Sequence, residues 1–403
     1  MVVLLSFLLG WQLGHRDVQL KWARFTPTVS IVNKEPPKEI NLDFKLFWDT
    51  WNLVSEEYLD KKAIDPQKLF YGAIQGMTAA VGDPYTVFLP PQSQKFSKDE
   101  LNGSFEGVGI QLGFNDDKKL VVVAPLSSTP AEKAGIKPQD EIIKIDDKDT
   151  ASMTLPDAVK LIRGVKGSEV TLTILRENDG SEPKTYTLVR DTIIVKSVEV
   201  SYKQTKSGKN VALLKLSRFG ERTKDEWDSA VSELLSQNPR AVILDLRNNP
   251  GGFLEGAVFV ASEFLEGGDV VSQENSKGES IPFKVSRKGK LIQMPLQVLI
   301  NKGSASASEI VAGALQDRKR GKLVGEKSFG KGTIQEAQDL AEGTGIHITV
   351  AKWLTPNGRW VNDTQGLEPD VKIEMDKQSL RSDDLKEDET KDPQLDKALE
   401  LLN

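Results

Sequence analysis

The sequence predicts a multi-domain α/β protein: a helical N-terminal unit, a β-rich domain, and a core built on a parallel sheet covered by helices. Three observations carry that expectation. The chain has 403 residues, more than the ~100 to 200 of a typical single domain. Its texture changes twice, from helical periodicity to short β-branched runs near residue 101, and to strand–helix alternation near residue 196. The later strands, AVILDL at 241–246 and LQVLI at 296–300, are almost wholly apolar, as strands buried on both faces must be.

Taken in order, residues 1–13, MVVLLSFLLGWQL, are an apolar run shorter than the ~20 residues of a membrane span and are followed by polar residues. They are expected to be a membrane anchor or signal remnant, with an amphipathic helix as the competing reading. Residues 14–41 read as a linker, largely on TPTVSIVNKEPP at 26–37. The helical domain is expected over 42–100. Phe44, Leu46, Phe47, Trp51, Leu53, Val54 and Tyr58 recur at helical spacing, and a second stripe over 66–81 is stopped by Gly82-Asp83-Pro84. The aromatics of this unit are expected in a core, because their spacing is that of a buried face.

The β-rich domain is expected over 101–195, with strands at 121–125, 140–146, 169–175 and 184–189 and one helix at 155–163. The α/β core is expected over 196–375, with strands at 211–216, 241–246 and 296–300 and helices at 224–236, 254–264 and 308–316. An acidic tail and a last helix, 392–402, complete 376–403.

Composition narrows the chemistry. Lys+Arg 53 against Asp+Glu 59 gives a net charge of -6, so no basic excess exists to neutralise a phosphate backbone, and nucleic acid is not an expected partner. With no cysteine, disulfides, thiol catalysis and cysteine-ligated zinc are excluded. The only histidines are His15 and His347, too few for most histidine metal sites and a poor basis for a Ser-His-Asp triad. A nucleophilic enzyme here needs another base, and one that works by a serine and a lysine is expected to need no metal or organic cofactor.

Three loops carry the candidate chemistry. Gly303-Ser304-Ala305-Ser306-Ala307-Ser308-Glu309 joins the strand 296–300 to a helix. A serine at a helix start feels the positive end of the dipole and free N–H groups. Ser306 and Glu309 also stand in capping-box spacing, so a plain N-cap is the competing reading. Phe329-Gly330-Lys331-Gly332 precedes an alternating stretch that puts Lys331, Thr333 and Gln335 on one strand face. A lysine buried there loses hydration, its pKa falls, and the neutral amine can take a serine proton, with Gln335 orienting it. Asn249-Pro250-Gly251-Gly252 follows the strand 241–246, where bare N–H groups can face an oxyanion; a tight turn explains the same residues equally well.

In order and separation these three strings, with WLTPNGRW at 353–360 and GLEPDV at 366–371, resemble the carboxyl-terminal processing peptidases, the tail-specific serine proteases of the S41 family. The resemblance covers roughly 44–371. It implies a crotonase/Clp-like α/β peptidase core with a Ser-Lys dyad: Ser306 as nucleophile, Lys331 as general base, Gln335 as its orienting partner, and the N–H groups of Gly252 and Ala307 as the oxyanion hole. It also implies a PDZ domain over 101–195. There Gly107-Val108-Gly109-Ile110 resembles the carboxylate-binding loop, and a protein C-terminus would add as a strand beside Ile110, Gln111 and Leu112. Ala158, Val159 and Ile162 would wall an apolar pocket for it, and Arg163 would couple tail binding to the catalytic site, although a cation at a helix C-terminus needs no such role. The implied partners are protein or peptide substrates with apolar C-termini, the membrane through the N-terminal segment, and a second copy of the chain through 44–81, for which the pattern equally allows an intramolecular cap. The implied location is the extracytoplasmic face of the cell membrane, anchored or secreted.

Rival readings remain. Gly325 to Lys331 fits G-x-x-x-x-G-K, but Gly332 stands where a P-loop needs Ser or Thr and a strand pattern follows where a helix is needed. His347, in an alternating strand pattern, is the alternative base. A catalytically silent PDZ scaffold that binds C-termini is the alternative from another functional class.

Overall fold

The computed structural model describes residues 18–23, 26–31, 42–115, 117–126, 128–176, 182–375 and 392–403. The anchor expected at 1–13, His15 and the acidic tail at 376–391 lie outside the described residues. Among the described residues, no helix is long and apolar enough to cross a membrane. The chain divides into two compact units between Gly72 and Ala73.

The first unit departs from expectation twice. Within the expected linker, β1 (Val18–Ala23) and β2 (Thr26–Ile31) form an antiparallel pair, Val18 opposite Ile31 and Trp22 opposite Pro27. Both segments alternate apolar and polar residues at the strand period, a signal that the prolines of 26–37 obscured. Helices α1 (Lys45–Glu57) and α2 (Pro66–Ala79), the latter crossing the division between the units, match the two predicted stripes. Yet α1 buries none of its side chains: Leu46 is 76% exposed and Trp48 55%. Periodicity reports that a face is apolar; it does not supply the surface that covers it.

In the second unit, β3 (Val87–Leu89) and α3 (Pro91–Asn102) come first. Pro91 sits in the first turn of α3, where its missing N–H costs nothing, and Gly103 ends the helix in the left-handed region at φ 66°. The β-rich domain follows, with β4 (Ser104–Gly107), β5 (Ile110–Phe114), β6 (Leu120–Pro125), α4 (Pro130–Lys133), β7 (Glu141–Ile145), β8 (Lys148–Asp149), α5 (Leu155–Ile162), β9 (Glu169–Leu175), β10 (Lys184–Val189) and β11 (Asp191–Ile194). Its main sheet runs β10-β9-β7-β6-β5, with β8 on β7 and a separate β4–β11 ladder. In β9 every second residue is buried, Val170, Leu172 and Ile174 facing a core they share with Val108, Ile142 and Ala158. Strand β5 ends the sheet path, so one of its edges is open beside α5.

The α/β core comprises β12 (Val198–Gln204), β13 (Asn210–Leu216), α6 (Thr223–Ser236), β14 (Ala241–Asp245), α7 (Leu254–Ala261), β15 (Asp269–Asn275), β16 (Ser280–Lys284), β17 (Leu296–Ile300), α8 (Ala307–Asp317), β18 (Lys322–Gly325), β19 (Thr333–Asp339), β20 (Gly345–Leu354), β21 (Val371–Lys372) and α9 (Pro393–Glu400). Strands β13, β14, β17, β18 and β21 are parallel in that order, and β12 joins antiparallel at one edge. All five residues of β14 and of β17 are buried, as their almost wholly apolar sequence predicts, and the polar Asp245 and Gln297 are buried with them. A second sheet, β16-β15-β20-β19, takes β3 onto β20 with Val87 opposite His347.

Helix α9 is fastened to the carboxyl end of β14. Arg247 donates to both oxygens of buried Asp245, from Nε at 2.9 Å and Nη2 at 2.7 Å, and reaches Asp392 at 2.8 Å and Gln394 at 3.2 Å. Removing one partner of a buried ion pair strands the other, at a cost of about 3–5 kcal/mol. Arg247→Met is therefore expected to lower the urea midpoint by that equivalent and to raise amide exchange across α9; an unchanged midpoint would show that Asp245 is stable alone.

Candidate active site

The site forms where β14 and β17 end, at the carboxyl edge of the parallel sheet. The three serines of the 303–309 string separate cleanly. Ser304 and Ser308 are wholly buried, their hydroxyls donating to the backbone oxygens of Leu246 at 2.8 Å and of Asn249 at 2.9 Å. Ser306 is partly exposed and lines a cleft of about 570 Å³. It precedes α8, and Glu309 accepts its N–H at 2.8 Å, the return half of a capping box. An ordinary N-cap is extended, whereas Ser306 has φ 55° and ψ -117°. A serine held in that region stores about 1–3 kcal/mol of strain, a feature common at reactive residues.

Glycines bring the 249–252 loop against this serine. A Cβ on Gly251, at φ 103°, would stand 2.8 Å from Ser306 Cβ; one on Gly252, at φ 135°, would stand 2.1 Å from the Phe219 carbonyl oxygen. Only glycine allows that approach. Gly252 and Ala307 both line the cleft. Among the described residues, neither N–H is given to a protein acceptor.

Lys331 and Gln335 line the same cleft. The lysine backbone is fixed by two indoles: Trp353 Nε1 donates to the Lys331 carbonyl at 3.0 Å and Trp360 Nε1 to that of Gly332 at 2.8 Å. These tryptophans belong to the 353–360 string, whose part in the site could not be read from spacing. Burial pushes the Lys331 amine below the usual lysine range, against the opposing charges of Asp83 and Glu309. Gln335 Nε2 donates to Thr333 at 2.9 Å and Thr349 at 3.0 Å. His347 lines the cleft as well and is held below its ordinary pKa by burial and by the Lys331 charge. The stretch after Lys331 is strand β19, with no helix such as a P-loop requires.

Glu309 is the residue whose importance the sequence understated. It is completely buried and accepts four hydrogen bonds: Oε2 from Ser306 N–H and Lys331 N–H at 2.9 Å, Oε1 from Gly330 N–H at 2.7 Å and Ser328 Oγ at 2.6 Å. One carboxylate thus ties the serine loop to the lysine loop. Asp83 and Tyr85 also escaped sequence reading, because no motif spacing connects them to Lys331.

In the β-rich domain, Gly107, Val108 and Gly109 are buried, and the carbonyls of Val108 and Gly109 accept from Ala131 and Leu126 at 3.0 and 2.9 Å. A Cβ on Gly109 would meet Thr129 at 2.4 Å. Ile110, Leu112 and Val159 are partly open between β5 and α5, and Gln111 is exposed; Ala158 and Ile162 belong to the core. Arg163 is held between Phe105 and Phe96, 4.3 and 5.1 Å from their ring centroids.

Residues 210–373 match peptidase family S41, residues 97–175 the PDZ domain, and residues 19–92 the N-terminal domain of the activating protease CtpB. The chain is 35% identical over 350 residues to the carboxy-terminal processing protease CtpA of Bacillus subtilis, across 87% of this chain and 73% of that one. This chain belongs to the S41 carboxy-terminal processing proteases. It is also 38% identical to CtpB of the same organism across 81% of this chain, and spans 66% of that relative's length. The solved photosystem II D1 C-terminal processing protease superposes with a TM-score of 0.50 at 31% identity, over 82% of this chain and 92% of its own.

Proposed function

We propose that this S41 family member is a serine endopeptidase with a Ser-Lys dyad, which captures unstructured protein C-termini in its PDZ domain and cuts the chain through an acyl-enzyme. The observation that supports the reading is the convergence of Ser306, Lys331, Gly252 and Ala307 on one cleft, with Ser306 the serine of its string left open to it. Neutral Lys331 takes the Ser306 proton as Oγ attacks the peptide carbonyl, and the N–H groups of Gly252 and Ala307 hold the oxyanion. The lysine ammonium then gives its proton to the leaving amine, and water, deprotonated by the same lysine, releases the acyl group. Gln335, whose Nε2 donates to the Thr333 and Thr349 hydroxyls, is the proposed orienting partner of the Lys331 amine.

A captured tail would add to the open edge of β5, its carboxylate at the 107–110 loop and its last apolar side chain against Val159. Arg163, packed on Phe96 and Phe105 outside the groove proper, would pass occupancy of the groove to the core. The division into a helical unit, a PDZ domain at 101–195 and a peptidase core at 196–375 follows from this assignment of roles. The uncovered face of α1 is the proposed surface for a second copy, and an extracytoplasmic location, tethered through 1–13, is part of the same reading.

The test is cleavage of an unfolded protein with and without its last five or so residues, beside Ser306→Ala. The full-length substrate is expected to be cut at least ~10-fold faster than the truncated one, with no cleavage by Ser306→Ala. Tail-dependent binding without cleavage would favour the silent scaffold instead.

A further inference from the structure

The segment facing Lys331 comes from far away in the chain, the loop at 82–86 between α2 and β3. The Tyr85 ring lies beside Lys331 Nζ, its centroid 4.5 Å away. The loop is well fastened: Asp83 accepts from Tyr85 N–H at 3.1 Å and from the Thr86 hydroxyl at 2.7 Å, and Thr86 accepts from Thr349 N–H at 3.1 Å. Thr349 is also the residue that receives Gln335 Nε2. The loop therefore meets Lys331 directly and Gln335 through Thr349 of β20.

An aromatic face at this distance attracts an ammonium and has little hold on a neutral amine. The other ionisable groups around Lys331 are Asp83 on the same loop, Glu309 at the start of α8 and His347 on β20, with Glu255 of α7 and Glu336 of β19 on the cleft walls. Asp83 and Glu309 favour the ammonium as the ring does, and burial opposes all three.

We propose that Tyr85 is a positioning residue for Lys331: its ring, together with the charge of Asp83, holds the protonated amine at the loop, and loss of the proton releases the amine towards Ser306. The proposal rests on Lys331 being the general base. A group that favours the ammonium raises the pH at which the base becomes available, so removing it lowers that pH.

The test is the pH profile of kcat/KM. Tyr85→Leu is expected to move the acidic limb down by about 0.4 to 0.7 pH unit, a ~2- to 5-fold relative gain on the acidic side. Asp83→Asn is expected to move it the same way, and Tyr85→Phe, which keeps the ring, to leave it in place. An unmoved or raised limb in Tyr85→Leu, or an equal shift in Tyr85→Phe, overturns the proposal. Should Tyr85→Leu turn over too slowly, the Lys331 amine is titrated directly by NMR with 13Cε-lysine in Ser306→Ala protein, its signal identified by its loss in Lys331→Ala. The same downward shift is expected, and its absence is equally fatal. If Lys331→Ala cleaves normally, the base assignment fails by itself, while the titration still reports on Tyr85.

Discussion

Lys331→Ala is expected to remain folded and to lose ~10² to 10⁴ of its cleavage rate, and Ser306→Ala to show no measurable cleavage. His347→Ala, by contrast, is expected to cost less than ~10-fold. The contrast matters because His347 shares the cleft and its pKa is lowered there by burial and by the Lys331 charge. What separates the two is position on the frame. Lys331 is joined to Ser306 through a single buried carboxylate that accepts both their N–H groups, whereas His347 sits on β20 opposite β3. The pH dependence has a definite sign. Lys331 works as the neutral amine, so kcat/KM rises with pH through its pKa, which burial holds below the usual lysine range. Full loss in His347→Ala with a mild effect in Lys331→Ala would transfer the role of base to the histidine.

Glu309→Gln is expected to destabilise the protein by about 3 kcal/mol and to impair turnover at least ~10-fold, although it alters one atom. Each carboxylate oxygen of Glu309 accepts two hydrogen bonds. The Ser328 hydroxyl is itself an acceptor for Leu367 N–H at 2.7 Å, so its own proton goes to Glu309. An amide nitrogen in either position would face two donors and leave them unsatisfied in a fully buried site. Burial pushes the Glu309 pKa above the usual carboxylate range, with the four donors opposing the shift. Urea unfolding and kcat measured on the same preparation check the prediction; wild-type stability with wild-type turnover would mean that the residue is protonated and links nothing.

How much of this was legible in the sequence differs from residue to residue. The continuous apolar runs of β14 and β17 announced a doubly covered parallel sheet, and their ends located the site, because covering both faces leaves only the strand ends open. The Ser306–Glu309 spacing was visible as a capping box. The positive φ at Ser306 was not, since no spacing reports a backbone angle or the close approach of Gly251 from another loop. Likewise, nothing in Trp353 or Trp360 announced that their indoles would fix the Lys331 backbone, and Tyr85 meets Lys331 only through the pairing of β3 with β20. The pairing of β1 with β2 was hidden by proline. The exposed face of α1 was misjudged because a helical period states what a helix needs and leaves open whether its own unit provides it.

The most direct test of the central claim is the site of covalent labelling by a peptidyl phosphonate diphenyl ester carrying an apolar residue at its reactive end, mapped by mass spectrometry. The account predicts one adduct, on Ser306, formed at least ~10²-fold more slowly in Lys331→Ala and absent in Ser306→Ala. An adduct on Ser304, Ser308 or Thr333, or labelling of Ser306 at an undiminished rate without Lys331, would contradict it.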